Sequence, residues 1–170
     1  MSLGPTDAEY TAFVHTAWAS LYRTAYLLLG DHAAAEDLVQ TTLAKTYAGW
    51  KRVRDVQAAH GYARTTMYNT ARSMFRSPGW RKELASERLP ETAYSEDTST
   101  RTDLVDALRQ LAPRQRAVVV LRFYEDLSVT QTAEALGITE GTVKSQTSDA
   151  MGRLRELLGE SVVPQGGPYR

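Results

Sequence analysis

Cysteine is absent from the 170 residues, which removes disulfides, thiolate nucleophiles and cysteine-containing zinc sites. Such a chain suits a reducing compartment. Net charge is absent too, because 20 Lys and Arg balance 20 Asp and Glu. That excludes a globally basic nucleic-acid wrapper but leaves room for a local basic face, which is what DNA requires. Long apolar runs are missing, and none approaches the ~20 residues of a membrane span. The segment before Leu21 carries Asp7 and Glu9, no Lys or Arg, and no apolar core of signal-peptide type. The expectation is a soluble, cytoplasmic protein with no membrane insertion. The three histidines, His15, His32 and His60, fall in different elements. No Ser/His/Asp set, metal-ligand spacing or glycine-rich phosphate loop accompanies them, so no catalysis, metal or cofactor is expected.

What is present is helical periodicity. Tyr10, Phe13, Val14, Ala17, Trp18, Leu21, Tyr22, Ala25, Leu28 and Leu29 recur at three- and four-residue steps, predicting a helix over 6–29. Gly30 is a natural stop, since glycine turns left-handed at a helix end without steric cost. Asp31 can cap a second helix, with Ala35, Leu38, Val39, Thr42, Leu43, Thr46, Tyr47 and Trp50 as its apolar stripe. After the basic stretch Lys51–Arg54, a third helix is predicted over about 58–76, its inner face Ala63, Met67, Thr70, Ala71 and Met74. Residues 77–102 lose the period. Pro78 and Gly79 break the helix, and Glu83, Glu87, Pro90, Glu91, Glu96 and Asp97 follow among Ser and Thr. This composition reads as a linker. Order resumes with a short helix through Leu104, Val105, Leu108 and Leu111, followed by Pro113. Residues 114–124 contain the run Ala117–Leu121, assigned to helix because no partner strand is in sight. The tail 161–170, with two Pro and two Gly, should be loose.

Residues 128–156 read SVTQTAEALGITEGTVKSQTSDAMGRLRE. Ala133, Gly137 and Val143 have the spacing of two helices that cross steeply over a tight turn. The crossing admits only a small side chain, the turn favours glycine for its positive φ, and Val143 anchors the second helix, predicted over 140–158. Leu136 and Ile138 flank the turn; Ala150, Leu154 and Leu157 complete the inner face. Thr142, Lys144, Ser145, Gln146, Ser148 and Arg153 remain for the outer face. Short polar donors at the front of such a helix suit base edges and phosphates in a major groove. A plain helical hairpin would carry the same spacing.

Two blocks in order now become specific. LAPRQRAVVVLRFYEDLSVTQTAEALGITEGTVKSQTSDAMGRLRE (111–156) resembles region four of bacterial RNA polymerase sigma factors of the extracytoplasmic-function group. LYRTAYLLLGDHAAAEDLVQTTLAKTYAGW (21–50) resembles their region two, and GYARTTMYNTARSMFR (61–76) the promoter-melting helix after it. The wording GTVKSQTS is similar to an actinobacterial subgroup. The resemblance implies an all-α fold of two small helical domains: region two over 6–76, a flexible linker over 77–102, and region four over 103–160. It implies an alternative sigma factor that binds core RNA polymerase and promoter DNA, not an enzyme, with an anti-sigma factor as a plausible third partner. Core docking carries over to Glu36, Asp37 and Gln40. Minus-ten recognition and melting carry over to Lys51, Arg52, Arg54, Tyr62, Arg64, Tyr68, Asn69, Arg72 and Arg76. Of these, Arg64, Tyr68, Arg72 and Arg76 step by four and share a helix face, read here as a basic, solvent-facing one opposite the apolar face. Single-stranded bases stack on such aromatic and Arg planes.

The chain also departs from the pattern. Thr65 stands where many relatives carry a second Arg, Met74 and Phe75 replace a Trp-rich pair, and Asp149 replaces a basic residue. Each lost phosphate contact lowers the salt slope of binding by about 0.9. The apolar surface from Val118 to Phe123 is either core or a second polymerase-docking face. Two other readings stay open: a sigma-like decoy that titrates an anti-sigma factor, and a simple helix-turn-helix regulator. The linker should let the domains pack against each other or an inhibitor when free and spread apart on polymerase.

Overall fold

The structure is a computed structural model that describes residues 5–77 and 99–159, with side chains in the second stretch described from Asp103 onward. The predicted tail and most of the predicted linker lie outside the described residues. Helices α1 (Asp7–Leu29), α2 (His32–Ala48) and α3 (Val56–Arg76) form the first half. Helices α4 (Ser99–Arg109), α5 (Pro113–Val119), α6 (Val129–Leu136) and α7 (Glu140–Leu158) form the second. No strand occurs among the described residues, and none of their helices is long and apolar enough to cross a membrane.

Local chemistry sets the boundaries. Thr6 opens α1 with a capping box, its hydroxyl accepting from the Glu9 amide while Glu9 accepts from the Thr6 amide. Gly30 closes α1 at φ 70°. Asp31 caps α2 by accepting from the Ala34 amide at 2.8 Å, and Asp55 does the same for α3 through Ala58 at 2.7 Å. Helix α4 begins at Ser99, inside the stretch read as linker. Pro113 sits at the start of α5, where its missing N–H costs nothing. The run after it is helical as expected, but it widens into a π turn over Val120–Tyr124, with the Glu125 amide donating to the Val120 carbonyl at 3.0 Å.

The three first helices pack around Phe13, Leu28, Leu38, Val39 and Met67. Each such burial is worth roughly 1.5–3 kcal/mol against exposure. Trp50 is buried with them; its Nε1 donates to the Thr6 carbonyl at 3.0 Å, and its ring lies 5.1 Å from that of Tyr10. Trp18 and Tyr47, placed on the apolar stripes by periodicity, are exposed instead. The Tyr47 hydroxyl reaches Asp7 at 3.2 Å, so its ring spans the surface edge of the core. The run Val118–Leu121 is core, and Phe123 and Tyr124 beyond it are exposed. The same main core continues into the second half through Ala117, Val118, Leu121, Val129, Ala133, Leu136 and Val143. A smaller cluster of Ala107, Leu108, Leu111, Val119, Ala150, Met151 and Leu154 joins α4, α5 and α7. The two halves are therefore packed on each other.

Candidate nucleic-acid interface

Helices α6 and α7 make a helix-turn-helix. Ser128 opens α6 with a capping box to Gln131, the two amide bonds measuring 3.0 and 2.9 Å. Ala133 is buried at the crossing, Gly137 turns at φ 64°, and the Ile138 amide donates to the Ala133 carbonyl at 3.0 Å. Thr139 caps α7, accepting from the Thr142 amide at 3.1 Å. Val143, Thr147, Ala150, Met151 and Leu154 are buried. Opposite that buried arc, Lys144, Ser145, Ser148 and Arg153 are exposed, while Thr142 and Gln146 are half-buried at its edges. Arg153 pairs with Glu156 at 3.0 Å. Asp149 is exposed in the middle of the same arc. A convex polar helix face with short donors, one lysine and one arginine can enter a duplex groove and reach both bases and phosphates.

The other predicted residues fall into two groups. On α2, Glu36, Asp37 and Gln40 are all exposed near the helix start, where carboxylates also complement the helix dipole. The loop after α2 begins with a 3-10 turn, Trp50–Arg52. Its buried anchors Trp50 and Val53 leave Lys51, Arg52 and Arg54 exposed. These continue onto α3, where Tyr62, Asn69 and Arg76 are exposed.

The stepped face of α3 behaves differently. Tyr68 is only 6% exposed, a correction to the solvent-facing reading. Burial, and then the Glu125 carboxylate beside it, pushes its phenol well above the ordinary tyrosine range. The hydroxyl itself has no hydrogen-bond partner of normal geometry. Arg64, half exposed, places Nε 3.5 Å from the Glu125 carboxylate. Arg72 is half-buried under the turn between α6 and α7, so close that a Cβ on Gly137 would stand 2.5 Å from its guanidinium nitrogen. The periodicity of α3 was sufficient to group these residues. It could not show that a second half of the chain lies against them.

That seam rests on residues that pattern reading missed. Arg116 is 2% exposed. It donates to the carbonyls of Leu108 at 2.8 Å, Arg109 at 3.1 Å, Leu111 at 3.3 Å and Leu28 at 3.3 Å. Burial, and then the Arg109 charge, pulls its pKa down to about 10. Arg109 donates to the Gly30 carbonyl at 2.7 Å and to the Tyr26 hydroxyl at 2.9 Å. Glu125 accepts from the Thr24 hydroxyl on α1. One signal did exist for Arg116: it shares a helix face with Val119 and Val120, three and four residues on, which marks it as inward-facing.

Comparison with known proteins matches both halves. Residues 16–81 match the family model "Sigma-70 region 2", and residues 107–156 match "Sigma-70, region 4". The RNA polymerase sigma-E factor of Streptomyces coelicolor is 42% identical over 157 residues, covering 88% of this chain and 86% of that protein. The ECF RNA polymerase sigma factor SigL of Mycobacterium tuberculosis is 36% identical, covering 84% of each. The chain belongs to the sigma-70 family, in its extracytoplasmic-function group. Among solved structures, this sigma factor is similar to the sigma factor RpoE of Bartonella quintana, crystallised with the anti-sigma factor NepR. The TM-score is 0.69 at 28% identity, covering 89% of this chain and 97% of that one. The helix-turn-helix lies within the region 4 match of this sigma factor, and α3 within its region 2 match.

Proposed function

We propose that this sigma factor binds core RNA polymerase and directs initiation at a specific set of promoters, with no enzymatic activity of its own and in the cytoplasm. The observation that carries the reading is the pairing of an open polar face on α7 with a basic, aromatic-bearing face on α3 in a chain of this family. In this division of labour, Thr142, Lys144, Ser145, Gln146, Ser148 and Arg153 contact the duplex minus-thirty-five element. Lys51, Arg52, Arg54 and the α3 residues Tyr62, Arg64, Tyr68, Asn69, Arg72 and Arg76 hold the melted minus-ten strand. Stacking on Tyr68 and Tyr62 would replace the stacking that bases lose on opening, worth a few kcal/mol. The exposed trio Glu36, Asp37 and Gln40 docks on the polymerase. The energy for opening comes from binding, and the bond-making chemistry belongs to the polymerase. An anti-sigma partner is supported by the crystallised complex of the Bartonella relative.

The test is transcription by sigma-free core polymerase, supplemented with this protein, on a library of promoter fragments. Specific initiation supports the reading and identifies the promoter. Binding to core that is lost in Asp37→Ala assigns the α2 face. Failure both to bind core and to initiate would transfer the protein to the decoy reading.

A further inference from the structure

The α3 face assigned above to the melted strand is already occupied. Glu125 ends the π turn after α5, followed by Asp126 at φ 54°. A π turn is uncommon, and here it aims one acidic residue inward at the end of an apolar helix. The Glu125 side chain is 5% exposed. It touches α1 through the Thr24 hydroxyl and α3 through Arg64. It also stands beside the buried hydroxyl of Tyr68. One helical turn further along α3, Arg72 lies beneath Gly137. An anion set against an arginine and an aromatic ring is the arrangement that a nucleic-acid backbone and base would otherwise make.

We propose that Glu125 is an autoinhibitory latch: its carboxylate stands in for the promoter strand on α3 and holds the two halves of the free protein closed. The inference rests on the assignment of Arg64, Tyr68 and Arg72 to DNA. A strand and Glu125 compete for the same side chains, so the strand binds only the open form. The apparent affinity for single-stranded DNA is then reduced by the fraction of molecules that are open. The α7 face faces outward in the closed form, so duplex binding escapes this penalty. The latch therefore withholds the melting surface while leaving the duplex-reading surface available.

The chain has no cysteine, so a donor and an acceptor dye can be attached at Ala44→Cys and Arg114→Cys, both exposed and on opposite halves. Energy transfer then reports closure. Anisotropy of a labelled, random-sequence single-stranded oligonucleotide reports strand binding. Glu125→Gln keeps the shape and removes the charge; Thr24→Val removes the hydroxyl that holds it, and Thr24 is not itself a DNA-assigned residue. Circular dichroism checks that each remains helical. Lower transfer, with single-strand affinity up on the order of tenfold, is the expected result for Glu125→Gln, and a smaller change of the same sign for Thr24→Val. Unchanged transfer in folded Glu125→Gln overturns the latch. Lower transfer with single-strand binding no better than the parent chain's overturns instead the assignment of α3 to DNA. If neither variant folds, the labelled parent chain decides: saturating oligonucleotide lowers transfer if strand and latch compete, and leaves it unchanged if they do not.

Discussion

At the scale of single residues, the most consequential side chain for stability is Arg116. A buried guanidinium is tolerated only because four backbone carbonyls accept its N–H groups. Arg116→Ala leaves those carbonyls without their donor and opens a cavity, at a cost of roughly 3 kcal/mol. Urea denaturation should show it as a lower midpoint, and a loss below about 1 kcal/mol would mean that water satisfies the carbonyls. Tyr68 gives a pH signature. Its pKa is raised above the ordinary 10.0 by burial and by Glu125, with Arg64 opposing. A raised pKa means that the neutral form is favoured when the chain is folded. The associated stability is present below pH 10 and is lost as pH rises past it. Phenolate absorbance in an alkaline titration should show a tyrosine that ionises only after the main group, and Tyr68→Phe should remove that step. These two residues also show how far sequence reading reaches. Four-residue spacing groups Tyr68 with Arg64 and Arg72, but spacing cannot tell a face open to solvent from one that packs against residues beyond position 99, and Tyr68 is buried.

At the scale of elements, caps and turns were legible because they are local. Asp31, Ser128, Gly30 and Gly137 each act on residues within four positions. The helix-turn-helix was readable for the same reason, its spacing reflecting one crossing and one turn. The π turn was not, since Val120–Tyr124 differs from an ordinary helical turn only in which carbonyl accepts the Glu125 amide. Gly137→Ala tests the turn. A Cβ there meets both the positive φ and the Arg72 guanidinium, and a stability loss of about 1–2 kcal/mol is expected in thermal or urea melts. On α7, Asp149 sits within the exposed reading arc. Asp149→Lys should steepen the salt dependence of duplex binding by about 0.9 in slope, as one phosphate contact is added. An unchanged slope, measured by titration at several ionic strengths, would place residue 149 away from the backbone.

At the scale of the whole molecule, two small helical domains are joined through a shared core. Phe13, Leu28 and Met67 from the first half and Val118, Leu121 and Val143 from the second belong to one buried cluster. Small domains bury little apolar area by themselves and are marginal alone. The free protein should therefore melt in one calorimetric transition with matching van't Hoff and calorimetric enthalpies. Two resolved transitions would mean that the seam contributes little. The expectation that the domains pack together when free came from linker composition; which surfaces would meet was invisible, because long-range pairing leaves no periodic trace.

The seam has a consequence for how this sequence can drift. Arg116 addresses the main-chain oxygen of Leu28, and Arg109 that of Gly30. Every amino acid carries that oxygen. Exchanging the side chain of residue 28 or 30 thus leaves these two acceptors in place, whereas the Tyr26 hydroxyl, which Arg109 also meets, is lost with its side chain. The two arginines, by contrast, have no such redundancy, since no other side chain offers the same fork of donors. The dependence is one-sided for these two bonds: a substitution at residue 28 or 30 keeps the acceptor, whereas losing either arginine removes the donor.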